Sequence, residues 1–214
     1  MGTQFRRSKI RVEFTMNQQY KEAIMVQILN KTLSLEDFLN LPETKPANEY
    51  INGQIIQKPM PQGKHSKLQG KLVTVINNMA EEQAIALALP ELRCTFGGRS
   101  IIPDVAVFVW ERIPLDHDGD IANSFKAHPD WTIEILSPEQ STIKVTSNIL
   151  HCLNCGCQMG WLIVPEEKSI FVYPSGQQPL FFDELDAVIP VPQFISNLTI
   201  TLRDILSWLK VNLT

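Results

Sequence analysis

The sequence predicts a mixed α/β domain in which a central mixed β-sheet is flanked by helices, and three observations carry that reading. Short apolar, β-rich runs recur: DVAVFVW from Asp104, WTIEIL from Trp131 to Leu136, WLIV from Trp161 and SIFVY from Ser169. Two segments, one from Ser66 and one from Ser141, repeat apolar residues every three or four positions, as one face of a helix requires. The order strand, helix, strand between Trp131 and Val164 makes a right-handed βαβ unit with a parallel strand pair. With 214 residues, 44% of them hydrophobic and 20% charged, the chain suits one globular core.

Residues 1–30 show no coherent pattern and read as a loosely ordered tail; residues 31–214 form the domain. In LSLEDFLNLP, Ser34 is placed to cap a short helix and Pro42 to end it. EYINGQIIQ reads as a β-hairpin, because both central residues of a tight type I′ turn take φ > 0 and Asn52-Gly53 tolerates that. After the loop MPQGKH a helix is expected from Ser66, with Ser66 and Gln69 at capping-box spacing and Leu68, Leu72, Ile76 and Met79 on one face. Gly70 inside it costs about 1 kcal/mol relative to Ala, which suggests close packing there. A strand is expected near Leu92–Phe96, then a turn at Gly97-Gly98, then the strand from Asp104. STIKVTSNILHCLNCG reads as a helix capped by Ser141, with Ile143, Ile149, Leu150 and Leu153 inward and Gly156 closing it. WLIV and SIFVY form a strand pair around Pro165–Lys168, and TLRDILSWLKVN is a final amphipathic helix.

No apolar run approaches the roughly 20 residues that span a bilayer, so no membrane role is expected and a cytoplasmic location is. The net charge of −4 excludes a generally basic nucleic-acid binder. Locally, Lys58, Lys64, Lys67 and Lys71 with His65 form an acid-free patch that fits phosphates or, equally, a solvated helix face. Cys152, Cys155 and Cys157 in HCLNCGC lack a second Cys-x-x-Cys pair, which favours buried structural thiols over zinc.

Two acids do not fit a core. Glu134 lies between Ile133 and Ile135 in a strand that otherwise looks buried, where an unpaired carboxylate is costly, so a cation must meet it. That cation is the lysine or arginine of a buried salt bridge, or a metal. Asp104 follows Pro103 at the mouth of a neighbouring apolar strand. Acids on adjacent strands suit Mg²⁺, which keeps several waters and takes one or two protein carboxylates. Such a metal polarises a phosphate and acidifies a bound water, while a lysine such as Lys144 offsets charge on the phosphate.

The blocks EYINGQII, GKHSKLQGKL, SIIPDVAVF, WTIEILSPEQST and MGWLIVPEEKSIFVY together resemble, in order, those of the Uma2 (DUF820) family, assigned to the restriction endonucleases by fold and site. The resemblance covers about residues 32–210 and is nearest to the family's cyanobacterial type. It implies a restriction-endonuclease-like PD-(D/E)XK core, Mg²⁺ (or Mn²⁺) as cofactor, DNA as partner and, by analogy of fold, a homodimer. It further implies Asp104 and Glu134 as the motif acids, Glu49 as an additional metal acid and His65 as a further site residue. The chain departs from the pattern where the motif lysine is expected. Leu136 stands two residues after Glu134, and the family's helix block D-x-x-x-K falls on Lys144 and Asn148. Val164 also stands where the family often has Asp. A catalytically silent member serving as a nucleic-acid or protein-binding module is the alternative, and a zinc protein built on the cysteines a third.

Overall fold

The architecture is that of a computed structural model, which describes residues 33–138 and 140–211; the expected tail at 1–30 lies outside the described residues. In chain order the strands are β1 (Asn48–Ile51), β2 (Gln54–Gln57), β3 (Ala86–Pro90), β4 (Cys94–Phe96), β5 (Arg99–Ile101), β6 (Val105–Val109), β7 (Trp131–Ile135), β8 (Met159–Val164), β9 (Ser169–Pro174) and β10 (Leu180–Phe182). The helices are α1 (Leu35–Leu39), α2 (Gly63–Ala80), α3 (Thr142–Asn154) and α4 (Leu202–Ser207). A six-stranded sheet runs β10-β9-β8-β7-β6-β3, and a four-stranded sheet runs β2-β1-β5-β4. The large sheet is mixed, with β7 and β8 parallel and its other neighbours antiparallel.

Side-chain alternation along β7 sorts the layers. Trp131, Ile133 and Ile135 join Leu68, Leu72 and Ile76 of α2 in the main core. Thr132 and Glu134 fall on the other face, where Val145 and Ile149 of α3 pack on Leu162, Val164 and Tyr173. At Gly160 a Cβ would overlap Ile149 Cγ2, so glycine is what lets α3 lie this close to β8. The hairpin turn is as expected, with Asn52 and Gly53 at φ 51° and 82°. Ser34 with Asp37, and Thr201 with Asp204, form capping boxes on α1 and α4.

Several sequence expectations are corrected. Helix α2 starts at Gly63 rather than Ser66, with Gln62 as a cap that makes no side-chain bond. The chain becomes helical as soon as it clears Pro59 and Pro61, because each proline holds the residue before it extended. Strands β3 and β5 were not anticipated: Ala86–Pro90 lacks β-branched residues, and Arg99–Ile101 is only a turn's length away from β4. Gly97-Gly98 therefore joins β4 to β5, not to the strand from Asp104. On α3 the buried positions are Val145, Asn148, Ile149 and Cys152, while Ile143 is 83% exposed and Leu150 is also exposed. The inward stripe is set by which residues reach Leu162 and Val164, not by hydrophobicity alone.

Gly70 is exposed and nothing lies within 4 Å of the place its Cβ would occupy, so the close packing expected there is absent among the described residues. Gly70→Ala is accordingly expected to stabilise the fold by about 1 kcal/mol through helix propensity and a less disordered unfolded chain. In a thermal melt that is a rise of roughly 2–4 °C for a domain of this size; an unchanged or lower midpoint contradicts it.

Candidate active site

The segment Ile102-Pro103-Asp104 carries the chain from the small sheet to the large one, and Asp104 stands at the mouth of β6. Antiparallel pairing sets Val105 opposite Ile133, so one further step sets Asp104 opposite Glu134. Backbone contacts lock Asp104 in place: its carbonyl accepts from Gln69 Nε2 at 2.8 Å and from the Glu91 N–H at 3.2 Å. Its Oδ2 accepts from the Ile135 N–H at 2.7 Å and lies 3.0 Å from His65 Nε2, while Oδ1 accepts from Lys58 Nζ at 2.7 Å. Lys58 also donates to the Ile102 carbonyl at 2.6 Å.

Burial alone would raise the pKa of Asp104, but the positive Lys58 and the hydrogen bond from His65 outweigh it and hold the carboxyl at about 2. Burial works against the charge on Lys58 too; Asp104, Glu134 and Glu49 overcome it and hold the ammonium above the ordinary lysine range. Glu134 lies on the other side of the balance. Burial first and the negative Asp104 second push it well above 4.5, against which Lys58 and the Asp104 backbone N–H act only in part. One carboxylate is thus fully ionised and its neighbour favours its proton, as two acids facing one another do.

Glu49 reaches the same region from β1. Its Oε1 accepts from the Ile102 N–H at 2.8 Å and Oε2 from Asn148 Nδ2 at 3.3 Å, and burial raises its pKa. The three acids do not form a tight cage. Among the described residues, the one trio of possible ligand atoms mutually within 4.8 Å is Asp116, His117 and Asp118, an exposed loop cluster away from these strands. Glu49 thus stands beside the pair with each oxygen accepting one N–H, from the β5–β6 link and from α3. His65 stands against Asp104, and its Nδ1 is buried with no partner among the described residues.

Lys144 is exposed and lines a cleft of about 440 Å³ with Glu49, Lys58, Glu134 and Asn148. Among the described residues no ion pair or hydrogen bond joins it to Glu134 or Asp104. The cation beside these acids is Lys58, which pairs with Asp104 and reaches Glu134 only through its charge; sequence reasoning placed it only within a surface basic patch. The available signal was its position, one residue beyond the hairpin strand that carries the chain past Asp104. The other lysines of that patch are exposed on α2, with Lys64 paired to Glu166 at 2.7 Å. A second cleft of about 380 Å³ lies across Lys58, lined by His65, Asp104, Ser137 and Gln140.

The cysteines form no metal centre: among the described residues no trio within metal reach includes one. Burial raises the Cys94 and Cys157 thiols to about 12, and Cys152 well above its ordinary value, so all three stay protonated packing groups. No described helix is long and apolar enough to cross a membrane.

The Uma2 family model, described as "Putative restriction endonuclease", matches residues 35–203. The chain belongs to the Uma2 family. The matched stretch contains every site residue named above. Among solved structures, this Uma2 chain is similar to a "putative nuclease belonging to DUF820" from Anabaena variabilis ATCC 29413, with 59% identity over 83% of this chain and 99% of that one. The TM-score of 0.82 means that the two share the nuclease fold. No curated protein matches the chain.

Proposed function

We propose that this Uma2 protein is a divalent-metal-dependent endonuclease that hydrolyses DNA phosphodiester bonds, with Mg²⁺ or Mn²⁺ held by Asp104 and Glu134. One observation carries the reading: two buried carboxylates stand opposite each other on adjacent strands, Glu134 on the wall of one cleft and Asp104 on that of the next, with too little positive charge to keep both ionised. The donors are all oxygens, a hard set that suits Mg²⁺ or Mn²⁺ and not zinc. When bound, the metal supplies Lewis-acid polarisation of the phosphate and acidifies a water.

The chain's own residues do the rest. The Ile135 N–H and His65 Nε2 fix the Asp104 carboxylate, so its oxygens need no reorganisation when a substrate arrives. Asn148 and the Ile102 N–H hold Glu49 beside the pair as a further acid for the metal. The cleft of about 440 Å³ leaves room for a phosphodiester with its waters, each of which takes about 30 Å³. Lys67 and Lys71 are exposed on the helix that brings His65 to the site, and they supply sequence-independent phosphate contacts. A homodimer would present two such sites for cutting both strands, which sedimentation of the pure protein checks.

The direct test incubates pure protein with plasmid and with single-stranded DNA in Mg²⁺, Mn²⁺ and EDTA. Nicking that requires the metal supports the reading. A protein that binds DNA and metal but never cleaves is the silent alternative. The titration of Glu134 adds a second check. Its folded pKa is raised, so it holds a proton from the ordinary 4.5 up to that raised value, and metal needs the anion. Apparent metal affinity is therefore expected to weaken as pH falls through the raised value, by about tenfold per pH unit for one proton released. Calorimetry in buffers of different protonation enthalpy reads that proton; binding without proton release counts against Glu134 as a ligand.

A further inference from the structure

The motif lysine has no occupant at either position where the family pattern puts it, since Leu136 and Asn148 stand there. Leu136 uses its N–H on the Ile163 carbonyl, and Asn148 is buried against Glu49. Lys144 is exposed and unattached to the acids. Lys58, from the loop between β2 and α2, is the lysine the acids do hold. Its side chain is 14% exposed, enough to meet a ligand, and it lines the clefts on both sides of the site. An ammonium has three N–H donors. Two are used, on Asp104 Oδ1 and the Ile102 carbonyl, and no third partner occurs among the described residues.

We propose that Lys58 is the cation that meets the scissile phosphate, pairing with Asp104 in the metal-free site and with a non-bridging phosphate oxygen once a divalent cation takes that carboxylate. The proposal rests on the nuclease reading above. The Ile102 carbonyl keeps Lys58 anchored during the exchange, so the ammonium turns towards the phosphate without leaving the pocket. In the hydrolysis, water oxygen bonds to phosphorus, the phosphorus–oxygen ester bond breaks, and its electron pair leaves with the sugar oxygen. The water's proton passes to solvent or to that oxygen. Lys58 stays protonated throughout and stabilises the charge on the phosphate oxygens through an N–H that strengthens in the transition state.

A competitor for Asp104 that also serves the phosphate makes metal affinity and cleavage rate move in opposite directions on its removal. The test compares wild type, Lys58→Met, Lys58→Arg and Asp104→Asn by Mn²⁺ calorimetry and by plasmid nicking at saturating metal. Lys58→Met is expected to bind Mn²⁺ about tenfold more tightly, the site having lost a positive charge that competes for the same oxygens. The same variant is expected to nick about a hundredfold more slowly. Lys58→Arg keeps the charge, and is expected to hold the wild-type metal affinity and to nick within about tenfold of wild type. Lys58→Met that nicks like wild type overturns the proposal, as does metal affinity that falls together with rate, the sign of a purely structural salt bridge. Should the Met variant not fold, Lys58→Arg decides: loss of both properties overturns the proposal. Wild type that cleaves no DNA overturns the nuclease reading and takes the phosphate role with it. Wild-type cleavage that vanishes in Asp104→Asn but survives in Lys58→Met overturns the role of Lys58 alone.

Discussion

Asp104→Asn is expected to lower metal-dependent DNA cleavage by about a thousandfold or more, which corresponds to roughly 4 kcal/mol of lost transition-state stabilisation. The substitution keeps the size and the acceptor for the Ile135 N–H, but removes the charge that a divalent cation and Lys58 both need. Lys144→Ala is the useful comparison, because that side chain sits exposed on the cleft wall and its loss is expected to change the rate only a few-fold. Equal losses in the two variants would contradict the site as described. Stability shows the same charge. With its folded pKa depressed to about 2 from 3.8, Asp104 contributes stability that is complete above the ordinary value and is lost as pH falls from 3.8 through 2. Wild type and Asp104→Asn are expected to converge in acid denaturation at the bottom of that window and to differ above it.

Gly160→Val is expected to cost about 3 kcal/mol, the upper part of the range for forcing extra methyl groups into a packed core. A Cβ at this position would overlap Ile149 Cγ2 and stand 3.4 Å from Thr132 Cγ2, so α3 must move away from β8. Ile149 is β-branched and fully buried, and has no free rotamer to yield into. The displaced helix is the one that carries Asn148 to Glu49, so metal affinity should fall along with the melting midpoint. Ile149→Ala introduced into Gly160→Val makes room at the point of overlap and should recover part of the loss, as a positive coupling in a double-mutant cycle. A cycle with purely additive losses would show that the overlap is relieved elsewhere.

Much of this was legible without coordinates because it depends on local chemistry. Asn52-Gly53 specifies its own turn, the run from Trp131 to Ile135 specifies a buried strand, and Gly156 at φ 113° ends a helix that the apolar spacing had already located. Glu134 was conspicuous for a local reason too, as an acid in an apolar strand. The β7–β8 parallel pair followed from the order of elements alone. Strands β3 and β5 were not visible, since a short strand owes its state to the neighbour that completes its hydrogen bonds and not to its own residues.

The sequence by itself determined the family, the mixed α/β class and the two acids, because each is recorded in residue type and order along the chain. Only the tertiary structure decided which cation meets those acids. Lys58 and Asp104 are 46 residues apart and share no pattern, yet a hairpin and a proline-marked crossing bring Nζ to within 2.7 Å of Oδ1. Lys144 stands exposed on the wall of the same cleft, because the face of α3 that turns inward is chosen by packing on β8. Charge partners inside a protein are selected by proximity and desolvation, and both are properties of the folded chain.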